Sequence, residues 1–127
     1  MNTIDSQITF CGVSDLDRTA RFWEECMGLR MVLDQGTCRI YNTIGRAYLG
    51  FCQRDHVAAG EQIILTIVSD EVDAWHVRLA AAGVEIDHAP RDNPDYGIYH
   101  FFARDPDGYR VEIQRFHDPE WNVPCGQ

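Results

Sequence analysis

The chain carries the same pattern twice. Residues 8–15 read ITFCGVSD, and residues 63–70, starting 55 positions later, read IILTIVSD. Units of this size are each too small to bury a large core, so the repeat predicts one domain in which two similar halves pack on one another. We expect a first unit at about residues 7–53, a second unit at about residues 62–116, and a tail at residues 117–127.

Each half predicts one strand, one helix and then three strands. The apolar run at residues 8–13 leads to Ser14 and Asp15, which are residues that favour a helix start, and Gly28 is placed to end the helix. The second half repeats this order and ends its helix at Gly83. The fold class expected is α+β: two tandem β-α-β-β-β units that form a curved, mostly antiparallel eight-stranded sheet with the helices outside.

Charge and cysteine content exclude several classes of function. The net charge is −9, which makes nucleic acid an unfavourable partner. No apolar run approaches the roughly 20 residues of a membrane span, so we expect no membrane partner. Five cysteines, an odd number without a CxxC motif, predict free thiols in a reducing compartment and therefore a cytoplasmic protein.

Two motifs resemble one known superfamily. The first half contains VSDL at residues 13–16, RFW at 21–23 and MGL at 27–29, and the second half ends with ARDPDGYRVEI at 103–113. With the duplicated β-α-β-β-β pattern, these motifs resemble the vicinal oxygen chelate superfamily of glyoxalases, bleomycin-resistance proteins, fosfomycin-resistance enzymes and extradiol dioxygenases. The resemblance covers about residues 7–116. It implies small-molecule chemistry and, commonly, a homodimer.

The resemblance also implies four metal-ligand positions, on the first, fourth, fifth and eighth strands. They fall at Ile8, Gly50, Ile63 and Glu112. Only Glu112 has a side chain that coordinates metals. The chain is therefore expected to be a metal-ligand-depleted member with no cofactor. A divalent metal held by Glu112, His100 and water molecules is the alternative.

Side-chain alternation along the strands predicts which residues face a ligand cavity. If Leu49, Phe51, Val111 and Ile113 lie under the helices, then Tyr48, Gly50, Glu112 and Gln114 face the other way. A turn at Ile44-Gly45 places Tyr41 opposite Tyr48 and Arg39 opposite Gly50. A turn at residues 106–108 places Phe102 opposite Glu112 and His100 opposite Gln114. Phe10, Leu65 and other apolar residues of the first and fifth strands complete the predicted cavity.

Each polar residue of this cavity has two interpretations. Glu112 and His100 are candidate catalytic groups, since an imidazole exchanges protons near neutral pH; a strand histidine bonded to backbone is the alternative for His100. Arg39 is expected to clamp an anion, or else to pair with Glu112. The remaining ligand-binding candidates, whose alternative is a purely structural role, are Tyr41, Tyr48, Phe10, Leu65, Phe102 and Gln114.

The sequence is compatible with three functions. The first is a binding protein for a small, partly apolar, anionic molecule, without a tightly held metal. The second is a lyase, isomerase or dioxygenase of the same superfamily that uses Glu112 and His100, with or without a metal. The third is a non-catalytic interaction module. A homodimer is expected in each case, and an aromatic and proline-rich tail at residues 121–124 is a weak sequence hint for it.

Overall fold

The fold was taken from a computed structural model that describes residues 2–122. The chain forms two compact units, Met1–Ala59 and Gly60–Gln127. The first unit has the predicted strand–helix–strand–strand–strand order, and the second has the same order with one additional strand. The α+β class is confirmed. The strands form two separate sheets, one of four and one of five strands, where a single eight-stranded sheet was predicted. Among the described residues, no helix is both long and apolar enough to cross a bilayer.

The first unit contains a mixed sheet and one helical segment. The sheet order is β1-β4-β3-β2, in which β1 runs parallel to β4 and the other pairs are antiparallel. The elements are β1 (Gln7–Val13), α1 (Leu16–Ala20), a π-helical continuation (Arg21–Cys26), β2 (Arg30–Asp34), β3 (Cys38–Ile44) and β4 (Ala47–Gln53).

The helix of the first unit begins at the predicted cap. The carboxylate of Asp15 accepts hydrogen bonds from the backbone N–H groups of Asp17 and Arg18, at 3.0 and 3.2 Å. The helix then widens, and the N–H of Met27 donates to the carbonyl of Phe22 at 2.9 Å, five residues back.

Aromatic side chains hold the helix of the first unit on its sheet. Trp23, from the helix, stacks on Phe51 of β4 with ring centroids 5.3 Å apart. Tyr41 of β3 contacts the same phenyl ring at 5.9 Å. All three side chains are buried, so Phe51 and its neighbours form the core of this unit.

The second unit repeats this plan with one additional strand. The sheet order is β5-β9-β8-β6, and β7 also pairs with β8. The strand β7 lies between Pro90 and Pro94. The elements are β5 (Ile64–Val68), α2 (Val72–Ala81), β6 (Glu85–Ile86), β7 (Arg91–Asn93), β8 (Ile98–Arg104) and β9 (Arg110–Phe116), followed by a short 3-10 helix (Pro119–Asn122).

The helix α2 marks one face of the second sheet as the core side. Tyr99 donates a hydrogen bond to Asp73 at 2.6 Å, and His76 contacts the ring of Phe101 with centroids 5.3 Å apart. Phe101 is fully buried, as is Ile113, which pairs with it in β9. His100 and Phe102 alternate with these residues and therefore lie on the opposite face.

The prediction of free thiols is wrong for two of the five cysteines. Cys38 of β3 and Cys52 of β4 lie directly opposite one another and form a disulfide, at a sequence separation of 14. Among the described residues, Cys11 and Cys26 form no disulfide, whereas Cys125 lies outside this part of the chain. No sequence motif around Cys38 and Cys52 indicates a disulfide. The register of β3 and β4 brings the two residues together. The cysteines therefore no longer support the expectation of a reducing compartment.

Candidate functional site

The predicted register of the second unit is confirmed. Phe102 pairs with Glu112 and His100 pairs with Gln114 across the β8–β9 hairpin. The parallel strand β5 places Thr66 beside Glu112. Since paired residues share a face of the sheet, one surface collects the polar and aromatic side chains. We call it the Glu112 face; its side chains are Thr66, His100, Phe102, Arg110, Glu112 and Gln114.

Glu112 is held by two hydrogen bonds within this unit. Thr66 Oγ1 donates to Oε1 at 2.9 Å, and His100 Nδ1 lies 2.7 Å from Oε2. Both His100 and Glu112 are buried, with 5% and 7% of their surfaces exposed. A carboxylate only accepts hydrogen bonds, so the His100 ring carries its proton on Nδ1. Nε2 of His100 makes no hydrogen bond within the part of the chain that is described, and it is the ring atom left to act on a ligand.

A second histidine lies beside His100. His88 follows β6, and its ring centroid is 5.3 Å from that of His100 and 5.7 Å from that of Phe102. Nδ1 of His88 donates to the carbonyl of Ala89 at 2.9 Å. Its Nε2 is buried and has no hydrogen-bond partner among the described residues. Sequence reasoning missed His88, and extending the β6–β8 pairing does not indicate it, because that register places Asp87 opposite Phe102.

Arginine side chains extend the Glu112 face at one end. The guanidinium of Arg110 lies over the ring of Phe102, 4.1 Å from its centroid. Arg104, paired with Arg110 in the hairpin, bonds Glu61 at 2.7 Å and Asp87 at 3.0 Å. The hydrogen bond from Arg104 lowers the pKa of Glu61, and the bonds to Glu61 and Asp87 raise the pKa of Arg104. Sequence reasoning did not assign a role to either arginine.

The predicted register of the first unit is wrong by one residue. Arg39 pairs with Phe51 and Tyr41 pairs with Leu49, so both point toward the helix instead of sharing the face of Gly50. The turn is centred on Gly45 and Arg46, with Gly45 at φ 52°, and the register shifts between Asn42 and Ile44.

Both misplaced residues bond the helix of their own unit. Arg39 pairs with Asp17 at 3.2 Å and donates to the carbonyl of Leu16 at 3.4 Å. Tyr41 donates to Glu24 at 2.8 Å. Burial, assisted by this hydrogen bond, raises the pKa of Tyr41 to about 12. The predicted register was the reason for assigning Arg39 and Tyr41 to a ligand, and that reason no longer holds.

Two further predictions about the strands need correction. Leu65 pairs with Val111 and is buried on the core side, so it does not line the Glu112 face. Ile63 precedes β5, and Ile64 is the residue that shares a face with Thr66 and Glu112. Both errors arise because the offset between the two repeats changes by one residue at this strand.

Tyr48 and Phe10 lie on the predicted face of the first sheet, away from the helix. Ile8 pairs with Tyr48, and Phe10 pairs with Gly50. A Cβ atom on Gly50 would lie 2.4 Å from Cδ1 of Phe10, so the phenyl ring covers the glycine. Phe10 is nevertheless 54% exposed.

Comparisons with known proteins identify the relationship. The glyoxalase/bleomycin resistance protein/dioxygenase superfamily profile matches residues 7–113, most of the chain. The chain belongs to this superfamily. No curated protein matches it significantly. The resemblance inferred from the duplicated pattern and its two motifs is thus confirmed.

Solved structures of superfamily proteins share the fold. A glyoxalase/bleomycin resistance protein/dioxygenase from Nocardioides has a TM-score of 0.77 at 15% identity, covering 100% of this chain and 91% of its own. A lactoylglutathione lyase from Agrobacterium tumefaciens has a TM-score of 0.74 at 25% identity, covering 97% and 100%. TioX from Micromonospora sp. ML1 has a TM-score of 0.73 at 21% identity, covering 87% and 98%.

The residues at the superfamily's metal positions do not fit a metal ion. The side chains of Ile8, Gly50 and Ile63 have no donor atoms, and neither has Ile64, which the strand register puts in place of Ile63. The ring of Phe10 also covers Gly50. Both oxygens of Glu112 already accept hydrogen bonds from this unit. Within residues 2–122, no group of three or more His, Cys, Asp or Glu side chains is arranged to hold a metal. These residues therefore give no basis for a metal-dependent step.

Proposed function

We propose that this superfamily member binds a small, partly apolar, anionic molecule on the Glu112 face, without a tightly held metal. The observation that carries the proposal is the hydrogen bonding of Glu112. Its carboxylate is the only side chain at a family ligand position that could bind a metal, and Thr66 and His100 occupy its two oxygens. A carboxylate fixed in this way orients the His100 ring, and alone it supplies one of the three or four protein ligands that tight metal sites use.

The surroundings of this pair favour an organic ligand. Phe102 provides an apolar surface, and the positively charged guanidinium of Arg110 lies over its ring. The Nε2 atom of His88 is an unpartnered acceptor beside them. Apolar surface with a few fixed polar groups is the usual composition of a small-molecule site. The predicted anion contact thus moves from Arg39 to Arg110.

Metal analysis tests this proposal directly. Protein purified without chelator is expected to contain zinc, iron, nickel and manganese only far below one equivalent, because tight protein sites use three or four protein ligands. Elemental analysis by mass spectrometry measures this content. One equivalent of metal that is lost in Glu112→Ala, and kept in the matched surface variant Glu71→Ala, would contradict the proposal.

A second candidate function is enzymatic proton transfer by His100. Glu112 fixes the proton of His100 on Nδ1, and Nε2 remains to accept a proton from a bound molecule. Exchange of carbon-bound protons of small keto acids with deuterated water, followed by NMR, tests this function. Exchange that is catalysed by the wild type and abolished in His100→Gln supports an enzyme. Exchange that persists unchanged in the variant rules out His100 as the base.

We also propose a homodimer, as is common in the superfamily. Apolar side chains on the face of the second sheet away from its helix, including Ile64 and Val68, are exposed in the single chain. Light scattering at micromolar concentration is expected to give twice the chain mass of 14.6 kDa. A particle of the single-chain mass would refute the dimer.

A further inference from the structure

Two arginines of the second unit share one exposed carboxylate. Glu61 bonds Arg104 through both oxygens, at 2.7 and 3.3 Å, and its Oε2 lies 3.7 Å from Nε of Arg110. Asp87 also pairs with Arg104. Two positive and two negative groups therefore balance, and removal of the Glu61 carboxylate leaves one positive charge uncompensated.

Arg110 is incompletely bonded in this arrangement. Within residues 2–122, its buried Nε makes no hydrogen bond, and its Nη1 donates only to the Glu61 carbonyl, at 3.4 Å. A guanidinium has five N–H donors, and a buried donor without a partner is energetically costly. Arg110 can therefore gain from a carboxylate that lies closer than Glu61.

The contact made by Glu61 is well placed for exchange. Its side chain is 67% exposed, whereas the side chains of Arg104 and Arg110 are mostly buried. Ion pairs with an exposed partner contribute little to stability. Displacing Glu61 thus costs little, and the two arginines stay in place because Asp87 and the ring of Phe102 hold them.

We propose that Arg104 and Arg110 form a carboxylate-binding site in which Glu61 is a resident stand-in for the ligand. A ligand carboxylate takes the place of the Glu61 side chain on the two guanidinium groups, and its apolar or aromatic body lies along Phe102 toward His100. This inference rests on the proposed function, since it assigns the anion contact of the ligand on the Glu112 face. The chemistry follows from the resident group, because the arrangement already binds a carboxylate in a two-pronged geometry.

Benzoate is the probe that tests this site. Titration followed by amide NMR is expected to show binding that tightens up to about fivefold in Glu61→Gln, the effect of losing a surface ion pair. In Arg110→Gln, binding is expected to weaken at least about tenfold, the effect of losing a charged hydrogen bond. Arg110→Lys, which keeps the charge and loses the planar fork, should give an intermediate value.

Matched controls separate the site from general charge effects. Glu71→Gln removes one exposed carboxylate from the same unit, and Arg39→Gln removes an arginine that bonds a helix in the other unit. Neither should change benzoate affinity by more than about twofold. Thermal melts of all variants establish that they are folded. Equal affinity of the wild type, Glu61→Gln and Arg110→Gln for benzoate would overturn the inference, as would absence of benzoate binding to both the wild type and Glu61→Gln.

Benzyl alcohol, the uncharged counterpart, separates this inference from the proposed function. If benzyl alcohol and benzoate both shift resonances of the Glu112 face and neither depends on Arg110, the carboxylate site is wrong while small-molecule binding stands. If neither probe shifts that face in any variant, both fail. Added salt is expected to weaken benzoate binding and to leave benzyl alcohol unaffected.

Discussion

Replacing Phe51 by alanine is expected to lower the free energy of unfolding by about 3–5 kcal/mol. The side chain is fully buried, stacks on Trp23 and contacts Tyr41, so its removal leaves a cavity between the helix and the sheet of the first unit. Urea denaturation followed by far-UV circular dichroism measures this change, read as a lower midpoint at constant slope.

Phe10 provides the matched control in the same sheet. Phe10→Ala removes an identical side chain that is 54% exposed, and it should cost less than about 1 kcal/mol. Similar losses for Phe51→Ala and Phe10→Ala would show that the aromatic cluster around Phe51 does not form the core of this unit.

The second large effect is expected at Glu112. Glu112→Ala leaves His100 Nδ1 and Thr66 Oγ1 without their acceptor, and the loss of stability should be about 2–4 kcal/mol. Glu112→Gln keeps one acceptor oxygen and should cost about half as much. The same urea denaturation measures both variants, with the exposed Glu71→Ala expected to stay within about 0.5 kcal/mol of the wild type.

Imidazole nitrogen shifts give an independent test of the Glu112 contact. In the wild type, ¹⁵N NMR should show the His100 proton on Nδ1, and in Glu112→Ala the ring should shift toward a mixture in which Nε2 also carries the proton. Unchanged shifts in the alanine variant would mean that Glu112 does not determine the protonated nitrogen. A merely structural loss of packing would not move this signal in a folded protein.

The second unit was predictable in detail because its turn is explicit. The sequence DPDG at residues 105–108 places a glycine where the chain needs a positive φ, and Gly108 has φ 92°. With the turn fixed, alternation of side chains places Phe102 beside Glu112 and brings His100 within reach of it. The placement of His100 and Glu112 on one face therefore followed from the sequence, whereas the hydrogen bond between them did not.

The first unit was not predictable at the same level. The sequence around Gly45 permits two turn positions one residue apart, and a one-residue slip moves every side chain of β3 to the other face. Arg39 and Tyr41 were misplaced for this reason. The irregularity between Asn42 and Ile44 that accompanies the true register has no clear sequence signal.

Contacts distant in sequence were the least accessible. The Cys38–Cys52 disulfide depends on that same register. The arrangement of Glu61, Arg104 and Arg110 depends on a residue, Glu61, that lies between the two units predicted from the repeat. Thr66 was missed because the 55-residue offset, taken as constant, put the adjacent Leu65 on the Glu112 face. Each of these errors comes from geometry that a linear pattern does not encode.

The covered glycine in β4 constrains how a side-chain donor could be introduced at this position. A glutamate at position 50 would place its first side-chain carbon 2.4 Å from the Phe10 ring, so the donor could not be restored before that ring is moved or replaced. Loss of Phe10, which is half exposed, is an inexpensive first step, whereas a glutamate introduced first meets a steric barrier. The order of the two mutations is therefore restricted, and a single substitution at Gly50 meets the ring of Phe10.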